Sequence, residues 1–158
     1  MKRLILLISL CVFNLSNAQT GLLNGSGYAP NFSVTDLNGN SHTIYDYLDN
    51  GYVMVLELLS TTCGHCQQHA AGTENSYLTN GPTGTNVARF LGLEINPSTD
   101  SAAVANFASN YNVTFPIAND ISPAVINYQI TYTPTYYVIY PDSSYTTICA
   151  NCITINSY

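Results

Sequence analysis

The stretch "YVMVLELLS" (52–60) constrains the fold more than any other in this 158-residue chain. It is a continuous apolar run with β-branched members, interrupted only by Glu57. A run of this length without alternation suits a strand buried on both faces, as in the middle of an α/β sheet. Directly after it, "STTCGHCQQHA" (60–70) packs Cys63, His65, Cys66 and His69 into seven positions. All four side chains can bind a metal, and the two cysteines can form a disulfide. The residues that follow, to about Leu78, are compatible with a helix. The cysteines therefore fall at a strand-to-helix junction.

The remaining chain supplies partners for that strand. "NFSVTDLNGNSHTI" (31–44) alternates around Asn38-Gly39, a strong hairpin signal. A Gly/Pro/Thr loop (80–86) precedes "VARFLGLEI" (87–95), which reads as a second buried strand. Pro97-Ser98-Thr99-Asp100 opens a helix through about Asn110, with Val104, Phe107 and Ala108 on one face. "TFPIAND" (114–120) reads as irregular and 122–128 as a short helix. Finally, "TPTYYVIYPDSSYTTICANC" (133–152) gives two strands joined at 141–144. Strands alternating with helices, plus one late hairpin, predict an α/β sheet of mixed strand direction. His42 is expected on the hairpin surface, His69 as an ordinary helix residue, and Arg89 paired with a nearby carboxylate.

Residues 1–18 read as a secretory signal: Lys2 and Arg3, an apolar run from Leu4 to Leu15, then Ser16-Asn17-Ala18 before cleavage at Gln19. The apolar run is too short to span a bilayer, so no membrane span is expected after its removal. Residues 19–28 form a flexible lead-in, and 29–158 a single domain. Without the signal, Arg89 is the one strong base against nine carboxylates, a formal charge of −8. Such a surface repels phosphate backbones and argues against nucleic-acid binding. Cys11 also leaves with the signal, and the other four cysteines form two Cys-x-x-Cys pairs. In an exported, periplasmic or secreted chain, both pairs can be redox-active or structural.

Free amides at a helix N-terminus stabilise an anion, so Cys63 is expected to have a depressed pKa and to be the attacking thiolate. Cys66 lies one turn further on, within reach of a mixed disulfide at Cys63, and His65 can add positive charge. Metal binding by Cys63, Cys66 and His69 is the competing reading, with ligand types that suit zinc or copper. It would make the chain a non-catalytic metal-binding or interaction module. Haem attachment is excluded, because Gln67 and Ile153, not His, follow the two pairs. A peroxiredoxin motif is also absent, with Leu56 where its proline is expected and Ser60 three positions before Cys63.

Four pieces in this order resemble the thioredoxin superfamily, and specifically its redoxin branch of exported TlpA/ResA-type oxidoreductases. "APNFSVTDLNG" (29–39) is similar to that branch's opening hairpin, and "CGHC" (63–66) is the tetrapeptide of protein disulfide isomerase sites. Glu57 stands six positions before Cys63, and "TYTPTYYVIYPD" (131–142) resembles the family's cis-proline segment. The resemblance spans roughly 29–148. It implies a thioredoxin-like fold in which Cys63 attacks and Cys66 resolves. Glu57 would move a proton to or from Cys66, and Thr133-Pro134 would face the dithiol beside Gly64 and His65. The implied partners are protein thiols or disulfides and an electron donor or acceptor protein, with no bound cofactor. The chain departs from the family at Thr62, where an aromatic is usual, and at Gln67, where a base is usual. With ten residues after Ile148, the family's closing helix is expected to be missing, the chain being either a C-terminally truncated fragment or one whose final sheet face is covered differently.

The second pair, Cys149 and Cys152, follows the last strand. If that strand retraces its partner, the pair sits at the active-site edge of the sheet, about 10 Å from the first. A local disulfide, a relay exchanging with Cys63, and a shared four-sulfur zinc site are the three readings of it.

Overall fold

The run at 52–60 forms strand β3 (Val53–Leu59), and its neighbours explain why it carries no alternation. Successive side chains of a strand point to opposite faces of the sheet. Met54, Leu56 and Leu58 enter one apolar cluster, with Phe32, Val34, Ile44, Leu48, Tyr137 and Ile139 among its members. Val55 and Leu59 enter another, with Cys66, Ala70, Phe90, Val104, Phe107 and Val138. Both faces of β3 are core.

The computed structural model describes residues 27–119, 128, 130 and 132–148. A small antiparallel pair comes first, β1 (Ser33–Thr35) and β2 (Ser41–Thr43), followed by α1 (Ile44–Asp49). After β3 come α2 (Gly64–Asn80), β4 (Ala88–Glu94), α3 (Ser101–Asn110) and β5 (Ile117–Ala118). The late hairpin is β6 (Thr135–Ile139) and β7 (Tyr145–Ile148). The main sheet has the order β5-β4-β3-β6-β7, with β4 parallel and β6 antiparallel to β3. This is the thioredoxin-like, mixed α/β arrangement expected from the sequence.

Local chemistry accounts for the boundaries. The β1–β2 turn is closed by Asp36, whose carboxylate accepts from the backbone amides of Asn38 and Asn40 at 2.8 and 2.9 Å. Gly39 adopts φ +84° there, a region that suits glycine. Asp100 caps α3 by accepting from the Ala103 amide at 2.7 Å. Helix α2 buries a stripe of Cys66, Ala70, Thr73 and Glu74 at helical spacing. Glu74 reaches the following loop and accepts from the Thr114 amide at 2.7 Å.

Four local expectations need correction. Residues 44–49 form α1, which the alternating reading of 31–44 hid. "TFPIAND" contains β5, paired with β4 at Gly92 and Leu93. His42 is buried, not on the surface, with Nε2 3.0 Å from Asp36 Oδ2 and Nδ1 2.6 Å from the Tyr47 hydroxyl. It points inward because α1 folds back and sets Tyr47 beside it. Arg89 pairs with no carboxylate among the described residues: it stacks on the Tyr52 ring at 3.5 Å and donates to Asn86 Oδ1 and the Ala88 carbonyl. Tyr28 forms an isolated antiparallel bridge with Ser144. The signal at 1–18, the helix at 122–128 apart from Tyr128, Cys149, Cys152 and the chain's closing segment lie outside the described residues.

Candidate active site

Cys63 is the N-cap of α2, extended at φ −81° and ψ 119°, and its carbonyl accepts the first helical hydrogen bond from Gln67. Position 63 therefore leaves the sulfur at the helix mouth, half-buried, beside exposed Gly64 and His65. Three residues on, Cys66 turns into the core stripe and is fully buried. Both are free thiols.

The sheet brings the second half of the site to the same place. Strand β6 runs antiparallel to β3 with Thr135 opposite Leu58, so the residues before Thr135 pass the end of β3. Thr133-Pro134 is a cis peptide, and the Cys63 thiol donates to the Thr133 carbonyl at 3.3 Å. These residues are 70 positions apart in sequence. The fold joins them through one strand pairing.

The two thiols differ electrostatically. Burial raises the Cys63 pKa, but hydrogen bonds from the Thr133 side chain, the Cys66 amide and thiol, and the His65 amide outweigh it and lower the pKa. Amides at a helix N-terminus are the physical source of the backbone part. Cys66 is pushed up to about 12, first by desolvation; the Ser60 amide, 3.4 Å from its sulfur, opposes this only partly. The half-buried Cys63 sulfur is therefore the more readily ionised of the two, and the buried Cys66 sulfur the one that holds its proton.

Glu57 is 2 % exposed and belongs to the β3 face that packs on α2, with Val55 and Leu59 on either side. Burial raises its pKa to about 7, against hydrogen bonds from Tyr136 and Thr73 that pull it down. The Tyr136 hydroxyl donates to Oε1 at 3.1 Å, while Oε2 is buried with no partner among the described residues. A carboxyl held near neutrality can take or give a proton at working pH.

Glu94 is a site residue that sequence reasoning missed. Fully buried at the end of β4, it accepts from the Thr61 amide at 2.7 Å and the Asn96 amide at 2.8 Å. Gln67 holds the same loop by donating to the Thr61 carbonyl at 3.0 Å. The only sequence signal was a carboxylate inside an apolar run, as for Glu57. Glu94→Ala is expected to lower stability by about 2–3 kcal/mol, since a buried amide then loses a charged acceptor. Urea unfolding measures that loss, and an unchanged midpoint would show that the loop needs no such anchor.

His65 and His69 line a cleft of about 320 Å³ with Tyr132, Thr133 and Pro134. Among the described residues, no group of three or more His, Cys, Asp or Glu side chains comes together to hold a metal. Cys63, Cys66 and His69 are not assembled as a ligand set.

A thioredoxin-like sheet that sets a Cys-x-x-Cys dithiol beside Thr133-Pro134 is the arrangement of a thiol-disulfide oxidoreductase. Comparison with known proteins agrees. The chain belongs to the AhpC/TSA family, whose model matches residues 27–144, and within it is a redoxin of the TlpA/ResA type. It is 29 % identical over 127 residues to the thiol-disulfide oxidoreductase ResA of Geobacillus kaustophilus, covering 80 % of this chain and 68 % of that one. To ResA of Bacillus subtilis it is 26 % identical over 144 residues, covering 87 % and 76 %. In fold it is similar to a secreted disulfide oxidoreductase of Mycobacterium tuberculosis. That likeness has a TM-score of 0.63 at 21 % identity and covers 74 % of this chain and 81 % of the other.

Proposed function

We propose that this chain is exported and exchanges disulfides with protein partners through Cys63 and Cys66. The observation that carries the reading is the split between the two thiols, one accessible and lowered, the other buried and pushed up to about 12. The Cys63 thiolate attacks one sulfur of a partner disulfide, that S–S bond breaks, and the partner's other sulfur leaves as a thiolate. Glu57 then takes the proton of Cys66, whose sulfur attacks Cys63 and releases the partner's second thiolate. The partner disulfide gains two electrons and Cys63–Cys66 becomes the disulfide; the reverse sequence oxidises a partner dithiol. Pro134 shapes the edge on which the partner segment lies, with Thr133, Gly64 and His65 around it.

Export is supported by the signal reading of 1–18 and by likeness to a secreted oxidoreductase. Among the described residues, no helix is long and apolar enough to cross a membrane.

Differential alkylation tests the role assignment. The reduced protein treated with iodoacetamide at pH 6–7 is expected to be labelled at Cys63 at least about tenfold faster than at Cys66, because only thiolates react. Peptide mapping by mass spectrometry reads the ratio. Faster labelling of Cys66 would reverse the roles, and equimolar zinc surviving dialysis with both thiols blocked would favour a metal-binding module.

A further inference from the structure

Glu57 and Tyr136 stand directly opposite each other on adjacent antiparallel strands. The Tyr136 side chain is fully buried, and its hydroxyl lies 3.1 Å from Glu57 Oε1 and 2.9 Å from Thr73 Oγ1. Thr73 is itself buried, seven residues after Cys66 on the same face of α2. A three-member polar chain thus links the buried carboxyl to the helix that carries the dithiol.

The direction of this chain follows from the chemistry of its end. An ionised carboxylate only accepts, so Tyr136 must donate to Glu57, and its oxygen is left to accept from the Thr73 hydroxyl at 2.9 Å, which also lies 3.5 Å from the His69 carbonyl. Burial and the nearby Glu57 charge push the Tyr136 phenol well above its ordinary value, so it keeps its proton and stays a donor. Oε2, the other oxygen of the carboxyl, is buried and has no partner among the described residues.

We propose that Tyr136, braced by Thr73, is a positioning residue that ties down Oε1 of Glu57 and leaves Oε2 as the proton acceptor for Cys66. The inference rests on the reading of Glu57 given under Proposed function. In the step it serves, the Cys66 S–H bond breaks, an O–H bond forms at Oε2, and Tyr136 exchanges no proton. The hydrogen bond favours the carboxylate over the acid, so it holds Glu57 lower than burial alone would.

Tyr136→Phe keeps the ring in the core and removes only the hydroxyl. Its expected effect is an upward shift of about one pH unit in the Glu57 titration, followed by infrared or ¹³C NMR with labelled glutamate. The acid limb of mixed-disulfide release, measured by stopped flow, should move up by the same amount, while the rate of Cys63 attack stays within about twofold. Thr73→Val should shift both in the same direction by less. A folded Tyr136→Phe protein whose Glu57 titration stays in place overturns the proposal. A titration that moves without the release profile overturns Glu57 as acceptor, and with it the role of Tyr136, but leaves exchange through Cys63 and Cys66 standing. Absence of exchange in the parent protein would instead sink the functional reading itself.

Discussion

Cys63→Ser is expected to abolish disulfide exchange, whereas Cys66→Ser should arrest the protein as a mixed disulfide. The asymmetry follows from position. Of the two described sulfurs, only the one at the helix mouth is accessible and lowered in pKa, so its removal should take away the proposed attacking thiolate. A serine hydroxyl does not ionise near neutrality, and the loss should be roughly a thousandfold or more in insulin reduction. In the Cys66 variant the first attack should still occur, but among the described residues no second sulfur is placed to displace the partner. Non-reducing gels and mass spectrometry should show a covalent adduct at Cys63. A Cys66→Ser protein that turns over like the parent would mean that another thiol resolves.

Glu57→Gln is expected to separate activity from stability. The carboxyl rises from 4.5 to about 7 on folding. A raised acid favours the folded state fully below its unfolded pKa, and that contribution is lost as pH climbs through the folded value. Between pH 4.5 and 8 the parent should therefore lose about 3 kcal/mol that the glutamine variant keeps. Other titrating groups are common to both proteins, so the difference between their urea-unfolding curves isolates Glu57. The variant should be the more stable protein at pH 8, with the gap closing toward pH 4.5. It should also release mixed disulfides more slowly, because Cys66 has lost its proton acceptor. Parallel stability curves would place Glu57 in contact with water, contrary to its burial.

Much of this was readable in the chain before any coordinates. The limits of β3, β4 and α3 agree with the patterns to within a residue or two, since each rests on a long apolar run or a clear cap. Six residues are too few to display a helical period, and α1 shows only Ile44 and Leu48 at that spacing. The two residues of β5 acquire their identity from pairing with β4, which no local pattern encodes. A similar divide runs through the site. Cys63, Cys66, Glu57 and Thr133-Pro134 carry recognisable spacing or resemblance. Tyr136, Thr73 and Glu94 do not, because their partners lie 79, 63 and 33 positions away and meet them only when the sheet and α2 are assembled. His42 was misplaced for the same reason: its burial depends on Tyr47, which sits on the unrecognised helix.

The two-faced packing of β3 has a consequence for how preparations of this protein are judged. Side chains on a strand have a period of two, so a slip of one residue against β4 or β6 would exchange its faces. Glu57 would then leave the dithiol side for the cluster of Phe32, Ile44 and Tyr137, and Leu56 or Leu58 would take its place beside α2. Such a molecule could be compact and helical, and could carry its full complement of thiols, yet lack the proposed proton acceptor. Thiol titration and circular dichroism are blind to that error. Turnover per mole of thiol is not, and it counts the molecules whose central strand has found its correct register.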